Sequence, residues 1–129
     1  QAIKVTFDSG ILFATGKSDL NASSKAAPLK FANSLKETAE TDVTIYGHTD
    51  SKGSREINIK LSSERAEAVA KFLTDNGIAR TRLKTEGKAY DEPVADNSTE
   101  AGRAQNRRVE VFITANAQMI QQAQQGSLN

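Results

Sequence analysis

Residues 46–69 read YGHTDSKGSREINIKLSSERAEAV, and they pass from strand to polar loop to helix. The strand begins upstream, in DVTIYGH (42–48), where Val43, Ile45 and Gly47 fall on one face and Thr44, Tyr46 and His48 on the other. From Ser62, Ala66, Val69, Ala70 and Leu73 recur at i, i+3, i+4 and i+7, the spacing of an amphipathic helix. Ser62 is the expected cap, because its hydroxyl can accept from a free N–H of the first turn. DNGI (75–78) ends the helix, with Gly77 suited to the left-handed position and Ile78 to the apolar contact beyond it.

The flanking sequence continues this alternation. IKVTF (3–7) alternates as a half-buried strand does. DSGILFATGKSDLNASS (8–24) reads as a loop, with ILF apolar enough to pack. A helix is expected from about Ser24 to Glu40, with Leu29, Ala32, Leu35 and Ala39 on one side and Pro28 tolerated near its first turn. RLKTEG (82–87) reads as a third strand and RRVEVFI (107–113) as a fourth, whose Val109, Val111 and Ile113 share a face. Between them, residues 88–106 form a polar loop long enough to be either functional or disordered. The resulting order is β-α-β-α-β-β. The economical packing is an α+β two-layer sandwich, with two helices on one face of a four-stranded mixed sheet. One domain is expected over residues 1–115. A tail, a short helix followed by disorder, is expected over 116–129.

Composition narrows the chemistry. The chain of 129 residues has 17 basic and 16 acidic side chains and a formal charge of +1, which argues against a nucleic-acid partner. Cysteine is absent, so disulfides, thiol nucleophiles and zinc–thiolate sites are excluded. No apolar run approaches the ~20 residues of a membrane helix. The chain opens on QAIKVTF, already strand-like, so it is expected to be one domain of a longer protein that carries any anchor elsewhere. His48, Asp50 and Ser62 lie near one another in sequence, but no GxSxG elbow accompanies them. A single histidine offers no HExxH pair, and Asp91, Glu92 and Asp96 lack calcium-loop spacing. The scattered glycines make no nucleotide-binding loop. Neither metal nor cofactor is expected, and no catalytic residue.

Arg65 is the residue that invites a function. With Ser62 as cap it falls at the third helical position, beside free N–H groups where an anion is favoured and a cation is not. A guanidinium there can grip a carboxylate through two parallel hydrogen bonds. Asp50, where the strand ends, could hold an ammonium. Two readings fit the spacing: a two-pole clamp for an amino-acid head group, and a salt bridge that closes the loop.

The stretch GHTDSKGSREINIKLSSERAEAVAKFLTDNGI (47–78), followed by GKAYDEPVADNSTEAGRAQNRRVEV (87–111), resembles the OmpA-like peptidoglycan-binding domain. That family includes the C-terminal domain of OmpA, the peptidoglycan-associated lipoprotein and the stator protein MotB. The resemblance runs from VTFDSGILFATGKSDL (5–20) to RRVEVFI (107–113) and rests on TD…G…N..LS..RA..V…L…G, a long pattern with many fixed spacings. It implies a β-α-β-α-β-β sandwich and non-covalent, non-catalytic binding of the meso-diaminopimelate of the peptidoglycan stem peptide. Asp50 takes the place of the family's ligand aspartate and Arg65 that of its arginine. Asn58 and Leu61 match pocket-lining positions, Thr49 precedes the aspartate, Asp8 matches a rim position, and Arg107 matches an arginine that reaches the pocket. Each of the lesser positions has a structural alternative. Asn58 also suits a loop turn, Leu61 an apolar contact before the helix, and Asp8 a cap. Arg107 and Arg108 alternate across a strand, which sends one toward solvent.

The resemblance further implies a periplasmic module of a Gram-negative envelope that tethers an outer-membrane component to the wall. On the same resemblance, the domain itself is not expected to insert in the membrane. An alternative is a protein–protein adaptor docking through the polar sheet face of Lys4, Thr6, Thr44, Tyr46, Arg108 and Glu110.

Overall fold

A computed structural model of the chain describes residues 2–14, 16–22, 25–38 and 40–115, so the expected tail at 116–129 lies outside the described residues. Four strands, β1 (Ala2–Asp8), β2 (Thr41–His48), β3 (Leu83–Gly87) and β4 (Arg108–Ala115), form one sheet in the order β1-β4-β2-β3. β4 lies antiparallel to both β1 and β2, while β2 and β3 run parallel. The mixed sheet expected from the sequence is therefore present, and its parallel pair is joined through the long helix α3 (Arg55–Asp75).

α3 and the shorter α2 (Ala26–Glu37) pack with the sheet around one aliphatic core. Ala66, Val69, Ala70 and Leu73 of α3 meet Val43 and Ile45 of β2 and Val109 and Val111 of β4. On α2 the buried positions are Pro28, Phe31, Ala32 and Leu35, while Leu29 is 40% exposed. The stripe runs through Phe31 rather than Leu29 because Phe31 meets Phe7 of β1 edge to face, 5.9 Å between ring centres. The helix ends as its sequence foretold: Gly77 has φ +100° and the Ile78 amide donates to the Leu73 carbonyl, closing the α3 C-terminus over a buried Ile78.

The start of α3 differs from expectation. Ser54, not Ser62, caps it, accepting from the Ile57 amide at 3.2 Å, and Glu56 supports the first turn. Ser62 lies inside the helix, fully buried, where its hydroxyl donates to the Ile59 carbonyl and accepts from the Ala89 amide. The segment expected to be polar loop thus supplies the first turns of α3. Its path is set by two glycines. A Cβ on Gly47 would lie 2.1 Å from the Ser62 carbonyl oxygen, and one on Gly87 would lie 2.2 Å from the Ser63 hydroxyl. These glycines are cross-strand partners on β2 and β3, so the helix rests on the sheet where neither strand carries a side chain.

Two connections are more ordered than their sequences suggested. Ser9–Leu12 makes a single turn, α1, with the Asp8 carboxylate accepting from the Gly10 amide, and Leu12 and Phe13 are buried. The long loop contains α4 (Glu100–Asn106), capped by Thr99. Asn106, fully buried, accepts from the amides of Val94 and Ala95 and donates to the Ala95 carbonyl and Asn97 Oδ1. The loop also covers part of the sheet face away from the helices. Arg108 and Glu110, expected to be open there, are buried and paired at 2.7 Å, and Arg108 also donates to the Glu92 carbonyl. The docking face expected for an adaptor is correspondingly reduced. His48 is shut in beside them, 3.3 Å from Glu110 Oε1, with neither ring nitrogen hydrogen-bonded.

Candidate functional site

Beyond the carboxyl end of β2 the chain turns across the mouth of α3. The Thr49 amide donates to the Ala89 carbonyl, and the Lys88 amide to the Gly47 carbonyl. The loops that follow β2 and β3 are thereby tied side by side, with Ala89 itself held at φ 51°. Asp50 emerges from this tie, and its Oδ1 accepts from the Lys52 amide at 2.9 Å. Asn58, on the first turn of α3, donates through Nδ2 to the Lys52 carbonyl at 2.7 Å and to the Ser54 carbonyl at 3.1 Å. Asn58 therefore does close the loop turn, and it lines the adjoining cavity as well.

That cavity, about 830 Å³, is bordered by the start of α3, α1 with the residues after it, the 49–52 loop and α4. Thr49, Asp50, Asn58, Leu61, Arg65 and Arg107 all line it. The structure brings together six of the seven residues singled out from the sequence. Asp8 is not among the lining residues. Its carboxylate caps α1, which carries the lining residues Ser9 and Gly10. Leu61 sits inside α3 rather than before it, so the reading of it as a contact ahead of the helix does not hold. Ile57, Leu61 and Arg65 follow one another at i, i+4 and i+8, a second face of α3 turned to the cavity while Ala66, Val69 and Leu73 face the core.

Arg65 is placed differently from its sequence reading. It belongs to the middle of α3, where the backbone N–H groups are already taken up in the helix, so no helix-end field assists it. Arg65 as a residue is nevertheless almost buried, at 5% exposure. Nε donates to the Lys17 carbonyl at 2.9 Å and Nη2 to the Ala14 carbonyl at 3.3 Å, and the group lies 4.9 Å from the centre of the Phe13 ring. Among the described residues no carboxylate pairs with it. Burial lowers its pKa, the nearby Arg107 lowers it further, and Asp50 opposes them by its charge. The loop-closing salt bridge between Asp50 and Arg65 does not form.

Asp50 is instead bound to Arg107, whose Nη1 donates to Asp50 Oδ2 at 2.6 Å. The other arm of Arg107 reaches Glu100 Oε2 at 2.7 Å. Glu100 and Asp50 together raise the Arg107 pKa, and Arg107, with Arg103, lowers that of Glu100. Neither Arg107 nor Arg108 is left in solvent: the first is held in the cavity and the second under the long loop. Asp50 retains acceptor capacity, since each carboxylate oxygen can take two hydrogen bonds and each has one. Lys52, Glu100 and the residues of α1 were missed from the sequence as site residues. Ser9 is buried there with its hydroxyl unpartnered.

The cavity thus presents a carboxylate with spare acceptor sites and a buried guanidinium without an acid partner, sharing one polar wall. It holds complementary poles for a small group bearing both charges. His48 and Ser62, weighed as hydrolase partners of Asp50, are not among the lining residues.

The chain is similar in sequence and in fold to known proteins. The outer membrane porin F of Pseudomonas fluorescens is 40% identical over 118 residues, covering 92% of this chain and 36% of the porin. A peptidoglycan-binding protein, ArfA of Mycobacterium tuberculosis, is 44% identical over 84 residues, covering 65% of this chain and 26% of ArfA. The chain spans about a third of the length of the first curated relatives it matches. Among solved structures, the cell wall anchor of the T6SS from Pseudomonas aeruginosa superposes with a TM-score of 0.81 at 33% identity, covering 89% of this chain and 82% of the other. The model of the OmpA family matches residues 12–107, a stretch that contains α2, β2, α3, β3 and α4, and the chain belongs to that family.

Proposed function

We propose that the domain binds peptidoglycan, non-covalently and without catalysis, by clasping the free head group of diaminopimelate in the stem peptide. The observation that carries this is Arg65: a nearly buried guanidinium on a cavity wall, with no acid partner among the described residues. Leaving a buried charge unpaired costs free energy, and a ligand carboxylate would supply the missing partner through two parallel hydrogen bonds. Asp50 would take the ammonium with its spare acceptor sites. Thr49, Asn58, Leu61 and Arg107 would shape the walls around the pair, and Asp8 would act through α1, by fixing Ser9 and Gly10. The names of relatives support the reading: one is called a peptidoglycan-binding protein and one structure a cell wall anchor. The corresponding setting is the periplasm, with the parent protein held in the outer membrane and this domain gripping the wall.

Purified peptidoglycan should pull down the wild-type chain, free meso-diaminopimelate should displace it, and Asp50→Asn and Arg65→Met should each lose it. Capture that survives both substitutions refutes the site. In the adaptor reading the chain would instead hold a protein partner in a complex that free diaminopimelate leaves intact.

A further inference from the structure

The cavity is larger than one amino-acid head group needs. At about 830 Å³ it stands in the upper part of the 300–1,000 Å³ range of sites for drug-sized ligands. Its lining carries three cations, Lys52, Arg65 and Arg107, against two carboxylates, Asp50 and Glu100. Arg107 is shared by both carboxylates. A zwitterion seated on Arg65 and Asp50 brings no net charge, so one positive charge remains in excess when it is bound.

Lys52 is where that excess is free to act. Its backbone is fixed on both sides, the amide on Asp50 Oδ1 and the carbonyl on Asn58 Nδ2. Gly53 follows at φ +87°, so the turn holds its shape without any contribution from the lysine side chain. The side chain is exposed at the cavity rim and has no carboxylate partner among the described residues. A cation mounted next to the aspartate that receives an ammonium, and not paired with it, suits a further anionic group carried elsewhere on the same ligand.

We infer that Lys52 selects stem peptides that carry a second free carboxylate beside the diaminopimelate head group, an inference that rests on the head-group reading above. The carboxylate has two possible sources, the acidic residue that precedes diaminopimelate and the terminal residue that follows it. Both present the same chemistry to the lysine.

The test is a calorimetric titration of the full chain at low salt with four probes. These are the stem tetrapeptide with both carboxylates free, its two singly amidated forms, and a diaminopimelate whose other end is capped so that one head group remains. The free tetrapeptide should bind roughly 2- to 5-fold tighter than at least one amidated form, the range of an exposed ion pair. The form that loses affinity identifies the source. Lys52→Ala should erase the preference and Lys52→Glu invert it, while Lys52→Arg keeps it. The capped head group should bind wild type and Lys52→Ala alike. Added salt should collapse the preference, because the contact lies in solvent. Tetrapeptide binding that is equal across the amidated forms, or a preference that survives Lys52→Ala, overturns the inference and leaves the head-group reading standing. Failure of wild type to bind any probe overturns both.

Discussion

Replacing Arg65 with methionine removes a charge from the cavity wall while keeping most of the aliphatic stem. In the unliganded protein the change costs two donated hydrogen bonds and the contact with Phe13, but it also relieves a buried charge that has no acid beside it. The two effects oppose each other, so the melting temperature of the free variant says little about function. The ligand-induced shift is informative, because it compares each protein with itself. A ligand at 100 times its dissociation constant stabilises the native state by about 2.7 kcal/mol. For a chain of 129 residues, with an unfolding entropy near 2.1 cal/mol/K per residue, that raises the melting temperature by about 10 °C. Truncating one member of a desolvated charge pair costs ~2–5 kcal/mol, so affinity for meso-diaminopimelate should fall at least ~30-fold at 1.4 kcal/mol per decade. At the ligand concentration that moves wild type by about 10 °C, Arg65→Met should then move by about 3 °C or less. Differential scanning fluorimetry with and without ligand reads both numbers. A variant that keeps the full shift would show that the guanidinium does not hold the ligand, and the clamp would be wrong whatever the pull-down shows.

Gly47→Ala would drive a methyl group into the Ser62 carbonyl, where both contacting atoms belong to fixed backbone. It should destabilise the fold by about 1–3 kcal/mol, lowering the urea midpoint by roughly 1 M, and weaken ligand binding by shifting α3 against the 49–52 loop; an unchanged midpoint would contradict the packing described. His48 provides a pH dependence: burial first, then Arg108, depress its pKa below 6.5, with Glu110 and Glu92 pulling the other way. The unfolded chain therefore binds the proton more readily, so this contribution is fully present above pH 6.5 and shrinks as pH falls toward the folded-state value. Urea unfolding at pH 7.5 and 5.5 should show the loss in wild type and a smaller one in His48→Gln.

Much of the fold is written in hydrophobic spacing. The core face of α3 shows at Ala66, Val69, Ala70 and Leu73 because those residues meet a sheet, and apolar periodicity records such contact. The adjoining face, from Asn58 through Leu61 to Arg65, meets a polar cavity and leaves no continuous apolar stripe. That is why the first turns of α3 read as loop, and why Ser62 looked like a cap. The spacing of Ile57, Leu61 and Arg65 at i, i+4 and i+8 was present, but Ile57, Ile59 and Leu61 also alternate at period two, so neither pattern prevailed. Asp50 and Arg65 do line one cavity, but the reason for pairing them fails, since no helix terminus lies beside Arg65. The Asp50–Arg107–Glu100 chain could not be read from spacing, because Arg107 lies 57 residues from Asp50 and ion pairs at such separation leave no local signature. Strand alternation marked Arg108 and Glu110 as polar-face residues and was right about the face. It carried no information about the loop that covers them.

The two poles of the site are not equivalent in the free protein, and this constrains how a ligand would enter. Arg65 donates only to backbone carbonyls and to the face of an aromatic ring, contacts that satisfy hydrogen bonds without neutralising charge. A carboxylate arriving there displaces no ion. Asp50 is already bound to Arg107, and an ammonium must share it or draw it partly away. Glu100 lowers the cost of that exchange, because it holds the other arm of Arg107 and keeps the cation paired while Asp50 turns to the ligand. In the proposed complex the carboxylate pole would therefore supply the larger share of new charge pairing, and the ammonium pole would discriminate, admitting a cation only where one ion contact replaces another. A ligand with a carboxylate alone would meet Arg65 but leave the Asp50–Arg107 pair as it was, and one with an ammonium alone would gain little over that pair. On the proposed reading, a preference for a group carrying both charges would follow from this asymmetry, without contact with the rest of the ligand.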